Sequence, residues 1–195
     1  MTEDQIKKIN NLRKKAEDAL KSDDFILKLG GVSVYAALCD FMAIQSVRLI
    51  EQILLKGQLA DENVSFQPHE DNYFYDNKVS TRKILKEIKK FLPFGPHSKS
   101  TNTSTESIKK MDIATDIYLD KSHEFLNQRN AILHHMFSQK KSYEEIEYLV
   151  IKAGLLFLEM EKLHREFMEI GGPFRFSEKE INHFYKSNSD PYASV

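Results

Sequence analysis

The chain has 195 residues, enough for one domain of ordinary size, and its basic and acidic side chains nearly cancel to a net charge of -1. Its 7 glycines and 5 prolines are about half the share expected from average usage, which excludes a fold built from many short strands and turns. The single cysteine, Cys39, excludes an intrachain disulfide and a cysteine-rich zinc site, and the small net charge argues against a broad surface for non-specific DNA binding.

The first third of the chain predicts two helices. Thr2 and Gln5 have the spacing of a capping box, in which side chains satisfy the free amides at a helix start, and a polar helix follows to about residue 22. The Gly30-Gly31 pair precedes a second helix over about 33–56. Because this second helix is apolar over most of its surface, we expect it at the centre of the fold.

The middle of the chain predicts one basic helix between two mobile loops. Residues 58–78 carry Pro68 and several Asp and Asn side chains, which are typical of a loop, with a short extended piece at 72–75. Residues 80–92 predict a helix that ends before Pro93, because a proline disfavours helical backbone in the residue before it. Residues near 93–105 are rich in Ser, Thr, Asn and Pro and predict the second mobile loop.

The second half of the chain predicts two long helices and a short one. Capping-box patterns at Thr103 and Glu106 and at Ser142 and Glu145 open helices that extend to about residues 139 and 170. A similar pattern at Ser177 opens a short C-terminal helix. The second long helix has a regular apolar stripe, formed by Ile146, Leu149, Val150, Ala153, Leu156, Phe157, Met160, Leu163 and Phe167.

These elements predict an all-α, up-and-down helical bundle of five to six helices, with residues 1–195 forming a single domain. The start of the chain is acidic rather than an apolar leader, and no stretch approaches about 18 uncharged apolar residues. We therefore expect a protein of the reducing cytoplasm that does not enter a membrane.

One segment near residue 130 departs from its own pattern. At about 100° per residue, Arg129 falls inside a continuous apolar arc of the helix, although a guanidinium charge cannot be removed by a change in pKa. Asn130 and His134 lie four residues apart on one edge of that arc, and His135 points the opposite way. The apolar members of the arc are Phe125, Leu126, Ile132, Leu133, Met136 and Phe137.

Arg129 has a structural and a functional explanation. The structural one is that the side chain extends along the apolar surface so that its guanidinium reaches water, or that it forms an ion pair with a carboxylate such as Glu124 or Glu161. The functional one is a ligand or an interface that meets the charge, because a charge on a core-facing side is costly when it has no partner.

The residues from Phe125 to His135, FLNQRNAILHH, resemble the signature of the HEPN superfamily (higher eukaryote and prokaryote nucleotide-binding domains). In that signature an Arg, commonly followed by Asn or another polar residue, precedes a His by four to six residues, and a long amphipathic helix follows. Some toxins of the family have a Tyr two residues after the His, where this chain has Met136. The resemblance is sharp over about 105–170 and implies an all-α bundle.

The resemblance implies RNA cleavage without a metal or cofactor, in a homodimer whose two motifs converge on one cleft. His134 would take the proton of the ribose 2′-OH, Arg129 would hold the negative charge of the phosphorane, and Asn130 would orient the imidazole or bind a phosphate oxygen. Because the attacking group is the 2′-OH, DNA would not be cut. Toxins, phage-defence nucleases and RNA-processing factors share the motif, and a toxin would have a cognate antitoxin protein as partner.

The predicted basic helix offers further RNA contacts. Lys83, Lys86, Lys89 and Lys90 form a basic face that would guide an RNA backbone, and a solvated helix face is the competing explanation. His135 is a further candidate RNA contact because it is adjacent to His134.

Two other functions stay open at this stage. A non-catalytic HEPN-like dimer would bind nucleotide or RNA, or act as a scaffold, without turnover. A di-metal carboxylate bundle would use Glu161-x-x-His164 and the imperfect Asp120-x-x-His123, together with carboxylates from two other helices. The remaining carboxylates on the other helices lie off the apolar stripes: Glu17, Glu51 and Glu87.

Overall fold

The structure is a computed structural model that describes residues 3–58, 69, 73–92, 105–136 and 141–171. Within these ranges all regular structure is helical, which confirms the predicted all-α bundle. Five helices have ten residues or more, and one further element is a single helical turn. In chain order the elements are α1 (Glu3–Leu20), α2 (Phe25–Gln58), the turn α3 (Tyr73–Asp76), α4 (Thr81–Lys90), α5 (Thr105–Met136) and α6 (Tyr143–Gly171).

Helix α2 begins at Phe25 and not near Ser33, so the predicted start was wrong. The side chain of Asp24 caps the helix, because its Oδ1 accepts the backbone N–H groups of Ile26 and Leu27 at 2.7 and 3.2 Å. The long helix therefore starts directly after a short connection from α1.

The Gly30-Gly31 pair lies inside α2 and serves helix packing. A Cβ atom added at Gly31 would lie 2.9 Å from the carbonyl oxygen of Ala16 and 3.2 Å from Cγ of Leu20, both on α1. Gly31 thus allows the backbones of α1 and α2 to approach closely, whereas nothing lies within 4 Å of a Cβ at Gly30. The sequence pattern was interpreted as a helix start because glycine commonly marks both situations.

Other predicted boundaries were confirmed or corrected locally. The capping box before α6 is present, because Ser142 N–H donates to Glu145 Oε2 at 2.8 Å and Glu145 N–H donates to Ser142 Oγ at 3.2 Å. The basic helix forms as α4, with Ser80 at its N-cap. The predicted extended piece at 72–75 was wrong, since Tyr73–Asp76 is a helical turn.

Several predictions lie outside the described residues. These are the helix cap at Thr2, the cap at Thr103, most of the loop near 58–78, nearly all of the loop near 93–105, and the short helix opened at Ser177.

Helices α5 and α6 form an antiparallel hairpin. Near the end of α5, Gln128 Nε2 donates to the carbonyl oxygen of Leu149, near the start of α6, at 3.3 Å. Further back along α5, the ring of Tyr118 stacks 6.1 Å from that of Phe167, near the end of α6. The pairing runs in opposite directions along the two helices, as the short connection between them requires.

Helix α2 is the central element and runs parallel to α6. Lys28 near the start of α2 forms an ion pair with Glu147 near the start of α6. Further along, Cys39 Sγ lies 3.7 Å from Met160 Sδ. Because α5 is antiparallel to α6, it is also antiparallel to α2, which gives the predicted up-and-down arrangement.

Helix α4 lies against α2 and α5. Its apolar side, formed by Ile84, Leu85 and Ile88, is buried. The hydroxyl of Thr81 donates a hydrogen bond to the carboxylate of Asp40 on α2. The cationic side chains of α4 consequently lie on the surface of the bundle.

Residues Phe25–Ile53 of α2 are long and apolar enough to cross a membrane by length and composition, with a mean hydropathy of 1.5 over their most apolar window. In the structure 39% of that window is buried. The core helix of a bundle meets the same criterion, so the composition of α2 does not decide where the protein resides.

The two adjacent glycines provide a matched test of the α1–α2 packing. Replacing either by alanine improves helix propensity by about 1 kcal/mol. We expect Gly30→Ala to stabilise the protein by roughly that amount, and Gly31→Ala to destabilise it by about 1–2 kcal/mol because its Cβ meets backbone. Urea unfolding measures both, and equal stabilisation by the two substitutions would contradict the close helix approach.

Candidate active site

Arg129 lies on the core-facing side of α5. It follows Met111 by 18 residues, about five helical turns, and Met111 is only 1% exposed. Arg129 itself is half-buried, and its Nη1 donates to Asn130 Oδ1 at 3.2 Å. Its positive charge acts on Cys39 of α2. Burial raises the pKa of the Cys39 thiol to about 12, Asp40 raises it further, and Arg129 acts in the opposite direction. The guanidinium is therefore placed near the point where α5 faces Cys39.

The two carboxylates predicted as structural partners of Arg129 are bound elsewhere. Glu124 Oε2 lies 3.1 Å from Lys121 Nζ, and Glu161 Oε2 lies 3.1 Å from Arg13 Nε. Among the described residues, Arg129 forms no ion pair. A half-buried permanent charge without a carboxylate is unfavourable unless another group meets it, so the structural explanation fails for these two partners.

The predicted apolar arc around Arg129 is only partly buried. Phe125, Leu126 and Ile132 are in the core, as expected. Leu133 is 46% exposed, which corrects the prediction of a continuous core-facing arc, and Phe137 lies outside the described residues. The last turn of α5 therefore presents an apolar side chain to solvent beside Arg129.

The exposure of Leu133 follows from where the described helices end. Helix α4 begins at Thr81, level with Asp40 of α2, and continues away from the N-terminal part of α2. At that end of α2, Ser33 and Ala37 are exposed as well. Within the described ranges, α1 and α6 pack on other sides of this end of α2, and Ser33, Ala37 and Leu133 stay exposed.

Asn130 and His134 lie one turn apart on the same side of α5. Asn130 is half-buried and His134 is exposed in the last turn of the helix. Five residues separate Arg129 from His134, so within one chain they project from different sides of α5. Asn130 lies between them and touches the guanidinium of Arg129. The half-buried His135 projects from yet another side.

The predicted basic face of α4 divides into two groups. Arg82 Nη2 donates to Asn127 Oδ1 on α5 at 2.6 Å, and neither residue was a predicted site residue. Lys86 is exposed on the same side as Arg82, one turn further on. Lys90 instead pairs with Glu87 on α4, with Nζ–Oε1 at 2.7 Å.

His123 of α5 is close to the first of these groups. Its pKa is lowered, first by burial and then by the positive charge of Arg82, with Lys89 and Lys86 acting in the same direction and Asp120 opposing them. The spacing of Arg82, Lys86 and Lys89 in the sequence indicates one cationic side of α4. That this side lies beside His123 depends on tertiary packing, which the spacing does not show.

The arrangement does not favour the di-metal alternative. No group of three or more His, Cys, Asp or Glu side chains in the described ranges is placed to hold a metal ion. The carboxylate of Glu161 is engaged by Arg13, as described above. Glu51, which was predicted to lie off the apolar stripe of α2, is instead buried. Its carboxylate accepts a hydrogen bond from Arg48 Nη1 at 2.8 Å and lies 2.6 Å from His69 Nδ1, so it fixes residue 69 to α2.

Comparison with protein-family models, with curated proteins and with solved structures found no match for this chain.

Two substitutions that each remove one charge distinguish a charge that stabilises the fold from one that belongs to the candidate site. Glu51→Gln breaks a buried network, and we expect it to lower the free energy of unfolding by roughly 2–3 kcal/mol. Arg129→Met removes a charge that has no carboxylate among the described residues, so we expect a change within about 1 kcal/mol. Urea unfolding decides, and a loss for Arg129→Met as large as that for Glu51→Gln would assign Arg129 a structural role.

Proposed function

We propose that the protein is a metal-independent endoribonuclease of the HEPN type, with Arg129, Asn130 and His134 as its reactive residues. One observation carries the proposal: Arg129 is half-buried on the core-facing side of α5, has no ion pair among the described residues, and contacts Asn130 one turn before the exposed His134. A phosphate group would meet the charge of Arg129, because a guanidinium donates two parallel hydrogen bonds to phosphate oxygens.

The residue types suit cleavage by the neighbouring ribose hydroxyl. The imidazole of His134 accepts the proton of the 2′-OH while O2′ attacks phosphorus. Arg129 stabilises the added negative charge of the phosphorane, and Asn130 holds the guanidinium through its Oδ1. The bond from phosphorus to O5′ then breaks, and O5′ takes a proton from imidazolium or water. The products are a 2′,3′-cyclic phosphate and a 5′-hydroxyl.

A homodimer is part of the proposal. Arg129 and His134 project from different sides of α5, so a second copy is a simple way to bring one Arg129 and one His134 to the same phosphate. The exposed Leu133 and the small side chains Ser33 and Ala37 offer a surface for that copy. A dimer contact there would cover an apolar group and enclose the charge of Arg129.

RNA cleavage by the purified protein tests the proposal. We expect single-stranded RNA to yield fragments that end in a cyclic phosphate, in the presence of a metal chelator, and DNA of the same sequence to stay intact. Arg129→Ala and His134→Ala should each lower the rate by at least about a hundredfold. Mass spectrometry identifies the fragment ends, and gel electrophoresis gives the rates.

Thermal unfolding of each variant provides the control, because both substitutions are at half-buried or exposed positions and should leave the fold intact. Intact RNA with folded wild-type protein would contradict the ribonuclease proposal. If that protein still bound RNA, the non-catalytic alternative of a dimeric nucleotide- or RNA-binding module would replace it.

A further inference from the structure

A row of exposed cationic side chains on α4 lies beside a line of polar side chains on α5, and a hydrogen bond between Arg82 and Asn127 joins the two rows. We call the two rows together the α4–α5 surface. Its cationic row is Arg82, Lys86 and Lys89 of α4, and its polar row is His123 and Asn127 of α5.

The cationic row follows from the spacing of α4. Arg82, Lys86 and Lys89 recur at i, i+4 and i+7, which places them on one side of the helix, and all three are exposed. None of them forms an ion pair with a carboxylate in the described parts of the chain. Their positive charge is therefore available to a ligand, although the whole chain has a net charge of only -1.

The polar row continues directly into the candidate active site. Along α5 the positions 123, 127, 130 and 134 are separated by four, three and four residues, so they share one side of the helix. From His123 to His134 this side rises by roughly 16 Å along the helix axis. The hydrogen bond between Arg82 and Asn127 ties the cationic row to the middle of this line.

Single-stranded RNA is the ligand that fits this arrangement. A row of cations binds phosphates without reading sequence, and the flexible backbone of a single strand can follow a line of side chains on a helix surface. His123 is half-buried, and the charges around it favour its neutral form, in which one ring N–H can donate to a phosphate without adding to the repulsion among the cations.

We infer that the α4–α5 surface binds the phosphate backbone of single-stranded RNA and leads it to Asn130 and His134. This inference rests on the proposed ribonuclease function for the position of the cleaved phosphate. Arg82, Lys86 and Lys89 contact the strand on one side, and Asn127 is a positioning residue that orients Arg82.

RNA affinity measured without cleavage tests the α4–α5 surface separately from catalysis. In the His134→Ala protein, fluorescence anisotropy with a labelled single-stranded RNA is measured at several salt concentrations. We expect Lys86→Ala with Lys89→Ala to weaken binding roughly tenfold and to reduce the salt slope by about one for each lysine. The matched control is Lys83→Ala with Lys90→Ala, which removes the same number of charges from the same helix but outside the α4–α5 surface.

The outcomes separate the two proposals. A larger loss for the Lys86 and Lys89 pair than for the control supports RNA binding at the α4–α5 surface, even if wild-type protein leaves RNA intact. Equal losses for both pairs would overturn RNA binding there, even if wild-type protein cleaves RNA. Tighter binding of duplex DNA than of single-stranded RNA would also overturn it.

The ring of His123 gives an independent readout. Because a bound strand changes both the charge and the solvent around this half-buried ring, we expect added RNA to shift its NMR resonances in the His134→Ala protein. Unchanged resonances at saturating RNA would place the strand elsewhere and contradict the inference.

Discussion

The packing of α5 and α6 against α2 decides where each candidate site residue lies. Tyr35 of α2 stacks on Phe157 of α6 with ring centroids 3.9 Å apart, and Phe125 of α5 meets the same ring at 5.7 Å. These aromatic contacts fix the rotation of α5 about its axis, since a buried ring of this size tolerates little displacement. Arg129, about one turn beyond Phe125, is thereby directed to the core-facing side.

The buried Glu51 and the half-buried Arg129 differ in their partners. Glu51 has Arg48 and His69 as partners, so its charge is compensated within the fold. Arg129 has only the neutral amide of Asn130 among the described side chains. The fold therefore compensates the charge of Glu51 by ion pairs, whereas among the described residues it supplies Arg129 with a neutral amide only. In the proposed function a phosphate group meets the charge of Arg129, next to Asn130 and His134.

Much of the fold could be predicted from the sequence because helix periodicity and capping are local. The capping box at Ser142 and the apolar stripe of α6 depend on residues within a few turns of each other, and both were predicted correctly. The predicted start of α2 was wrong because Gly31 packs against a backbone carbonyl of α1. Local sequence patterns do not reveal such a tertiary contact. The exposure of Leu133 was missed for the same reason, since it depends on where neighbouring helices stop.

In the candidate site, too, local features could be predicted from the sequence and tertiary contacts could not. The phase of Arg129, Asn130 and His134 on one helix follows from their spacing, and the structure keeps it. The contact of Arg82 with Asn127, and the cations around His123, depend on how α4 packs against α5, so the sequence could only indicate a basic helix. In the structure, one side of the basic face of α4 lies next to α5. On another side, Lys90 forms an ion pair with Glu87.

In the proposed dimer, Arg129 of one copy and His134 of another act on the same phosphate. Mixed dimers test it most directly: the Arg129→Ala and His134→Ala proteins, each inactive alone, are unfolded and refolded together at equal concentration. Half of the resulting dimers would be mixed, with one intact site each, so we expect about a quarter of wild-type RNA cleavage. No recovery of cleavage, although mixed dimers are detected by mass spectrometry, would contradict it.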